Sequence, residues 1–424
     1  MSRPTRNGHR IGRKGIPMSS IAMLRRRLAA AGSLPRQFAL FLAGLTVSHL
    51  GNAIYTLALP WIAYELTHSA LIMGTLYATE IVPILLFGAL AGVYVDRWER
   101  RKLMLAADII RAVVVALVPL LHLFGLLAVW HLYLVAFLLS LVSLIFDVST
   151  TAVIPEMVGR DLTRANAAYQ MATQLADMIG PAVAGALIAL VGGFNSIWLD
   201  VVSFGATFLA VLAMPSFRRS PAAATAGGVL RGMVEGLKWL WRSPVIKALS
   251  LQAMTGNFGF GMVSAVLMYY LVHTLGMGSQ LVGVDYAMLG VGGLIGSMVA
   301  VPLERRFRRG TIYPVILLFG MTGLLIMAAL RLWWTPGLGF GIVAACDIVW
   351  VVMSTSVRQE QIPSELMGRV LSFSRVLSTA AMPVGAVLGG VLTASHDPTL
   401  VFMIAAAAKG IEVLIARFSA MRSL

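Results

Sequence analysis

The sequence predicts an all-α polytopic membrane protein with twelve transmembrane helices in two pseudo-symmetric six-helix halves. Three observations predict it. Of 424 residues, 58% are apolar or aromatic and only 12% are charged, about half the roughly 25% of a soluble domain; the mean hydropathy is +0.85. The apolar residues gather into twelve stretches, each near the roughly 20 residues a spanning helix needs. A polar break at 215–245 leaves six stretches on either side. This composition excludes a soluble enzyme and a disordered binder, and twelve spans leave no room for a large soluble domain. The single cysteine, Cys346, excludes a disulfide framework and a multi-cysteine metal site.

In chain order, a basic cytoplasmic tail, 1–36, precedes the N-terminal half, 37–214. Its spans fall at 37–58, 71–95, 103–124, 129–152, 166–191 and 195–214, with Thr67-His68-Ser69 and Gly192-Gly193 among the breaks. The first span is too long and begins too late for a secretory signal peptide. The linker, 215–245, opens with Pro215, Ser220, Pro221 and an Ala/Gly-rich run. An amphipathic stretch follows at 229–241, with Leu237, Trp239, Leu240 and Trp241 set against Arg231, Glu235 and Lys238; such a helix lies along a membrane surface. The C-terminal half, 246–424, has spans at 246–273, 279–303, 311–333, 337–357, 369–394 and 398–418, with Thr335-Pro336-Gly337 before the tenth.

Charge orients the array. The net charge is +15. Arg97, Arg100, Arg101 and Lys102 follow span two, Arg218 to Arg242 line the linker, and Arg305, Arg306, Arg308 and Arg309 follow span eight. Of the alternate connections, only the ninth-to-tenth has a basic residue nearby, Arg331. Excess Lys and Arg mark cytoplasmic loops, so both termini are expected in the cytoplasm of a bacterial plasma (inner) membrane. The charge then requires no nucleic acid; the tail serves as a topological anchor facing anionic lipid.

The halves repeat. Gly88 and Gly92 in span two match Gly292 and Gly296 in span eight, and each pair precedes an acid and a basic run. Gly180, Pro181 and Gly185 in span five match Pro383, Gly385, Gly389 and Gly390 in span eleven. Small residues four apart let helices approach closely in lipid. At symmetry-related places they predict helix packing between duplicated halves, a pattern of many transporters.

The stretch Gly92-Val93-Tyr94-Val95-Asp96-Arg97-Trp98-Glu99-Arg100-Arg101-Lys102 resembles the signature loop of the major facilitator superfamily, with Glu99 standing where the pattern has Gly. Leu50-Gly51-Asn52, Leu66-Thr67-His68-Ser69-Ala70, Ala165-Asn166, Ile179-Gly180-Pro181, Gly236-Leu237-Lys238-Trp239-Leu240, Ser243-Pro244 and Gly368-Arg369-Val370 resemble its drug:proton antiporter branch, which includes macrolide efflux proteins and the enterobactin exporter. The branch often has an acid at the position of Asn52. The resemblance implies the major facilitator fold, a central cavity lined by spans one, four, seven and ten, and function as a monomer. It also implies that Asp96 latches the inner end of helix eleven in the outward-facing state, held by Arg97, Arg101 and Lys102. A carboxylate at a helix N-terminus is favourable by about 0.3–1 kcal/mol when exposed.

No phosphate-binding Gly-rich loop, His-Glu-x-x-His pair or dinucleotide fingerprint after a strand is present, so no cofactor, metal or ATP engine is expected. Ionisable residues inside spans are costly and default to function. Asp108 with Arg111 and Lys409 with Glu412 are three apart and expected to pair within their helices, the latter at the periphery. Asp200 and Asp285 are expected to reach water near helix ends. The proton-coupling candidates are Asp347, foremost for its mid-membrane depth, then Asp147, Asp177 and Glu80. The cavity candidates are His49, Asn52, Gln252 and Asn257. The absence of Arg and Lys at mid-depth of the cavity-lining spans favours apolar, neutral or cationic small-molecule cargo. The sequence is thus read as a secondary active exporter of amphipathic drug-like or siderophore-like compounds, driven by protons. The rival readings are a non-transporting membrane sensor or partner protein, and an importer of a small metabolite.

Overall fold

In hydrocarbon every backbone polar group must be satisfied within the chain, which leaves helices as the way these apolar stretches can cross. The computed structural model describes residues 34–95, 97–215, 226–363 and 366–423. Among them, twelve helices are long and apolar enough to span a membrane. They are α1 Arg36–Thr67, α2 Ala70–Val95, α3 Arg100–Leu123, α4 Val129–Val158, α5 Leu162–Val191 and α6 Gly193–Leu212 in the first half. The second half has α7 Pro244–Tyr269, α8 Ser279–Arg306, α9 Arg309–Ala329, α10 Thr335–Gln361, α11 in two pieces, Met367–Thr379 and Ala381–Ser395, and α12 Thr399–Phe418. The tail through residue 33, Asp96 and linker residues 216–225 lie outside the described residues.

Local chemistry sets the ends. His68 stops α1 with φ +50° while its N–H bonds to Tyr64 O, and Gly192 stops α5 with φ +84°. Ser243 caps α7 by accepting the Ile246 N–H, and Pro244 occupies the first turn, where a missing N–H costs nothing. The helix α1 runs nine residues beyond the sequence-predicted end at 58, because Pro60 is accommodated inside it. At the other end of α7, a π-helical turn covers Tyr270–Thr274.

The connections rich in Arg and Lys share one end of the bundle, here the basic face; the opposite end is the far face. The linker helix, Ala226–Arg242, packs on the basic-face piece of α11. Gly236 permits this, since a Cβ there would meet Arg369 O at 2.5 Å, and Glu235 pairs with Arg369.

Two seams join the halves, α2 with α11 and α5 with α8. These are the four helices on which the sequence places its small residues, but the contacts differ from those expected. Gly88 meets only Ile84 of its own helix and Gly92 has nothing within 4 Å; both lie toward the basic face, on an open side of α2. Gly74 makes the approach instead, 3.2 Å from the Gly390 Cα when given a Cβ. Gly292 and Gly296 fit against Gly341 and Ala345 of α10, Gly180 against Ala53 of α1, and Gly385 and Gly389 against Phe258 and Met262 of α7. Those contacts hold helices within a half. Of the predicted set, Gly390 closes the α2–α11 seam against Gly74, and Gly185 closes the α5–α8 seam against Gly283. Pro181 lends its carbonyl to the same contact, and Pro383 sits just past the break in α11.

Candidate functional site

Both seams are tight on the far-face side. Gly74–Gly390 and Gly185–Gly283 lie there, and Tyr64 OH of α1 contacts His273 Nδ1 beyond α7 at 3.1 Å. Gly290 against Met178, with a built Cβ 2.6 Å from its Cα, closes the middle. Nearer the basic face, Gly293 meets only the end of the Gln174 side chain across the seam, at 3.5 Å. The far face is therefore shut.

Beneath the seams, a cavity of about 430 Å³ lies between the halves. From α1 it takes His49, Asn52 and Thr56, and from α5 Gln174 and Asp177. The second half adds Phe260 of α7, Tyr286 of α8 and Asp347 of α10. Its walls are otherwise apolar, and its size suits a small molecule. Each half thus contributes one carboxylate. Asp177 is exposed to this space, whereas Asp347 is half-buried and paired: its Oδ1 accepts from Lys409 Nζ at 2.6 Å.

That pair corrects the sequence reading of α12. Lys409 and Glu412 do not form a peripheral pair. They are 5% and 3% exposed, and Lys409 bridges Asp347 to Glu412, 3.3 Å away. The cause is depth: a Lys or Glu at mid-membrane turns toward protein rather than lipid. Gln252 is likewise not a cavity residue. It is fully buried behind the cluster, donating to the Glu412 carbonyl at 2.8 Å and accepting from Trp350 Nε1 at 3.1 Å. Asn257, on the same helix, is also outside the cavity lining.

In the first half, Asp108 and Arg111 pair on α3 as their spacing predicts. Arg111 is 2% exposed, lies 3.8 Å over the Phe146 ring, and faces His49, Asp147 and Asp200 electrostatically. Asp200 and Asp285 do not reach water, at 0% and 4% exposure. Asp200 accepts from Ser203 beside Gly51. Asp285 accepts the Gly337 N–H at the start of α10, where first-turn N–H groups want an acceptor. Asp147 is exposed on α4 but outside the cavity lining. Glu80 sits on α2, its carbonyl bonded by Ser140 at 2.5 Å, and is also outside that lining.

At the basic face, Arg101 donates to the carbonyls of Val211 and Leu212 at 3.2 and 2.6 Å, closing the last turn of α6. Lys102 pairs with Glu99 at 2.9 Å, Arg100 with Glu156, and Arg97 is exposed. Among the described residues, no three His, Cys, Asp or Glu side chains converge as metal ligands.

Known proteins resemble this chain in sequence and fold. The chain matches the family described as transmembrane secretion effector over residues 34–424. It is 30% identical to the multidrug efflux pump Tap of Mycolicibacterium fortuitum, over 81% of this chain and 85% of that one. It is 25% identical to macrolide efflux protein A of Streptococcus pyogenes, covering 82% and 86%. The fold resembles a bacterial homologue of the iron transporter ferroportin in an inward-facing state, with a TM-score of 0.75 at 19% identity, covering 91% of this chain and 98% of that one.

Proposed function

The chain belongs to the transmembrane secretion effector family of major facilitator transporters, and on that premise we propose that it exports amphipathic drug-like or siderophore-like molecules by alternating access, in exchange for protons. The cavity carries the reading: a shared pocket closed on one face, with a carboxylate from each half, is what a carrier presents between turns. The relatives' efflux names favour export over uptake.

The basic face is cytoplasmic by the charge rule, with both termini on that side of a bacterial inner membrane. The structure is then the inward-facing state. Cargo enters between α4, α5, α10 and α11, meets Asp177 and the rings of Phe260 and Tyr286, and leaves once the far-face seams part. Asp177, with no cation paired to it among the described residues, favours a neutral or cationic molecule. Asp96, with Arg97, Arg101 and Lys102, serves as the latch of the basic face when the cavity opens outward. The protein works as a monomer, its basic loops on anionic lipid, and carries transport without chemistry on its cargo.

The test is ethidium uptake into inverted vesicles, with and without an imposed proton gradient. Uptake that collapses with the gradient is expected; gradient-independent accumulation, or none, overturns the proposal.

A further inference from the structure

Three ionisable groups from two helices meet in the second half: Asp347 of α10, and Lys409 and Glu412 of α12. Lys409 Nζ stands 2.6 Å from Asp347 Oδ1, 3.3 Å from Glu412 Oε1 and 3.4 Å from Glu412 Oε2. Its hydrogen bond to Asp347 is short and that to Glu412 long, so the ammonium leans toward the cavity carboxylate. Glu412 Oε1 is buried without a hydrogen-bond partner.

Among the described residues, the neighbours add no further charge. From α7 the cluster is faced by Gly256 and Phe260, and Gln252 is already committed to the Glu412 carbonyl and to Trp350. From α9 it is faced by Leu324 and by Gly320, which lies along the Lys409 stem. The thiol of Cys346 is the nearby titratable group on α10. Two acids therefore share one base. With all three charged, one negative charge would stay buried and uncompensated, an arrangement of high cost. One bound proton removes it.

Asp347 also belongs to two spaces. It lines the cargo cavity and a separate void of about 10 Å³ that reaches Lys409 and Glu412. That is the lower limit for one water. Cargo can therefore touch Asp347 but not Glu412, which lies behind the ammonium.

We propose that Glu412 holds the exchanged proton and that Lys409 relays cargo charge to it. This rests on the exchange reading given above and replaces direct competition at Asp347 with competition at a distance. In the cargo-free site Asp347 is ionised, Lys409 is paired to it, and Glu412 is protonated. A cation entering the cavity binds Asp347 and displaces the ammonium toward Glu412. The O–H bond of Glu412 breaks, its electron pair stays on the carboxylate as partner to Lys409, and the proton leaves through the void to the cavity. One positive charge enters and one departs. Neutral cargo displaces no ammonium and releases no proton.

The test uses the purified full-length protein in weakly buffered detergent with a pH indicator, titrated with ethidium. The parent is expected to release about one proton per ethidium bound, as linkage between two sites requires. Glu412→Gln should bind ethidium and release less than about a tenth of that amount, while Glu412→Asp restores release. Proton release by Glu412→Gln at the parental level overturns the relay and leaves the exporter reading standing. Loss of ethidium binding in both variants makes Glu412 structural and also overturns the relay. A parent that neither binds nor transports ethidium overturns the exporter reading itself, and the relay with it.

Discussion

Gly185 of α5 and Gly283 of α8 face each other so closely that a Cβ on either would lie 2.9 Å from the other's Cα. This is a close backbone approach between the halves toward the far face, and Gly74 with Gly390 repeats it across α2 and α11. Backbones this near exclude any side chain, so the seam exists only while both positions are glycine. In the proposed export cycle it is also the part of the molecule that opens to release cargo.

Gly283→Val should therefore bias the protein against far-face closure. A Cβ at Gly283 also meets Pro181 O at 2.5 Å, and neither neighbour is a flexible side-chain end. Overpacking of this kind costs about 1–3 kcal/mol, applied to the closed state alone. That shifts a two-state equilibrium by about 5- to 150-fold. An Asn52→Cys reporter in a Cys346→Ser background should react faster with an impermeant thiol reagent from the far face. Unchanged labelling would mean that the seam does not gate the cavity.

Asp177 is the cavity carboxylate that pairs with no cation among the described residues, and it faces that space directly. Asp177→Asn should weaken ethidium binding by about 10- to 150-fold, the range that loss of a charge-assisted contact of about 1.5–3 kcal/mol implies. A neutral macrolide should bind the variant as it binds the parent. Equal losses for both ligands in equilibrium binding would assign Asp177 to structure.

Much of this was legible in the sequence because lipid imposes simple rules. Span number and the division into halves follow from hydropathy, and the Asp108–Arg111 pair follows from a three-residue spacing on one helix. What could not be read was which residues meet across helices. The small residues of α2 mark the right helix, but Gly74 closes the seam while Gly88 and Gly92 do not. Nothing local distinguishes a glycine facing a helix from one facing open space. Lys409 was assigned to Glu412 by proximity in sequence, although its shorter bond runs to Asp347, 62 residues away. Charge counting within the half held the missing signal, since a single buried base among deep acids must be shared. Asp285 was read as reaching water; its acceptor role at the start of α10 depends on a register between α8 and α10 that the sequence does not display.

Asp397 tests a contact outside the spans. The Thr399 hydroxyl and N–H, with Arg331 at 2.6 Å, hold its carboxyl below the ordinary 3.8. A lowered folded-state value means that the charged form favours folding. The contribution is present at neutral pH, down to the ordinary value, and is lost as pH falls through the lowered one. Asp397→Asn should melt below the parent at pH 7, and the difference should shrink as the pH falls below 3.8 and through the lowered value. A gap that persists in acid would show that charge is not its source.

Orientation is checked by the same thiol chemistry. In a Cys346→Ser background, cysteines replacing Arg100 and Arg308 should be shielded from an impermeant reagent in intact cells, while those replacing Ser69 and His396 should react. All four sit at helix ends whose side of the membrane the basic loops dictate. Labelling of position 308 from outside would reverse the topology and, with it, the inward-facing reading.

The buried cluster itself makes the sharpest stability prediction. Lys409 is the base that two acids share, so its removal harms more than removal of either acid. Lys409→Met leaves Asp347 and Glu412 with no cation, and breaking a buried pair by deleting one partner costs roughly 3–5 kcal/mol. Asp347→Asn leaves Lys409 with Glu412 and should cost less. Glu412→Gln leaves the 2.6 Å pair to Asp347 intact and should cost least. The double variant Lys409→Met/Asp347→Asn should be more stable than Lys409→Met alone, because the second change removes the charge that the first left stranded. Groups in one network couple by about 0.5–3 kcal/mol, enough to see in thermal unfolding of the purified protein in detergent. Additive losses from the two substitutions would mean that Lys409 and Asp347 do not act as a pair, and the bridge between α10 and α12 would then contribute no stability.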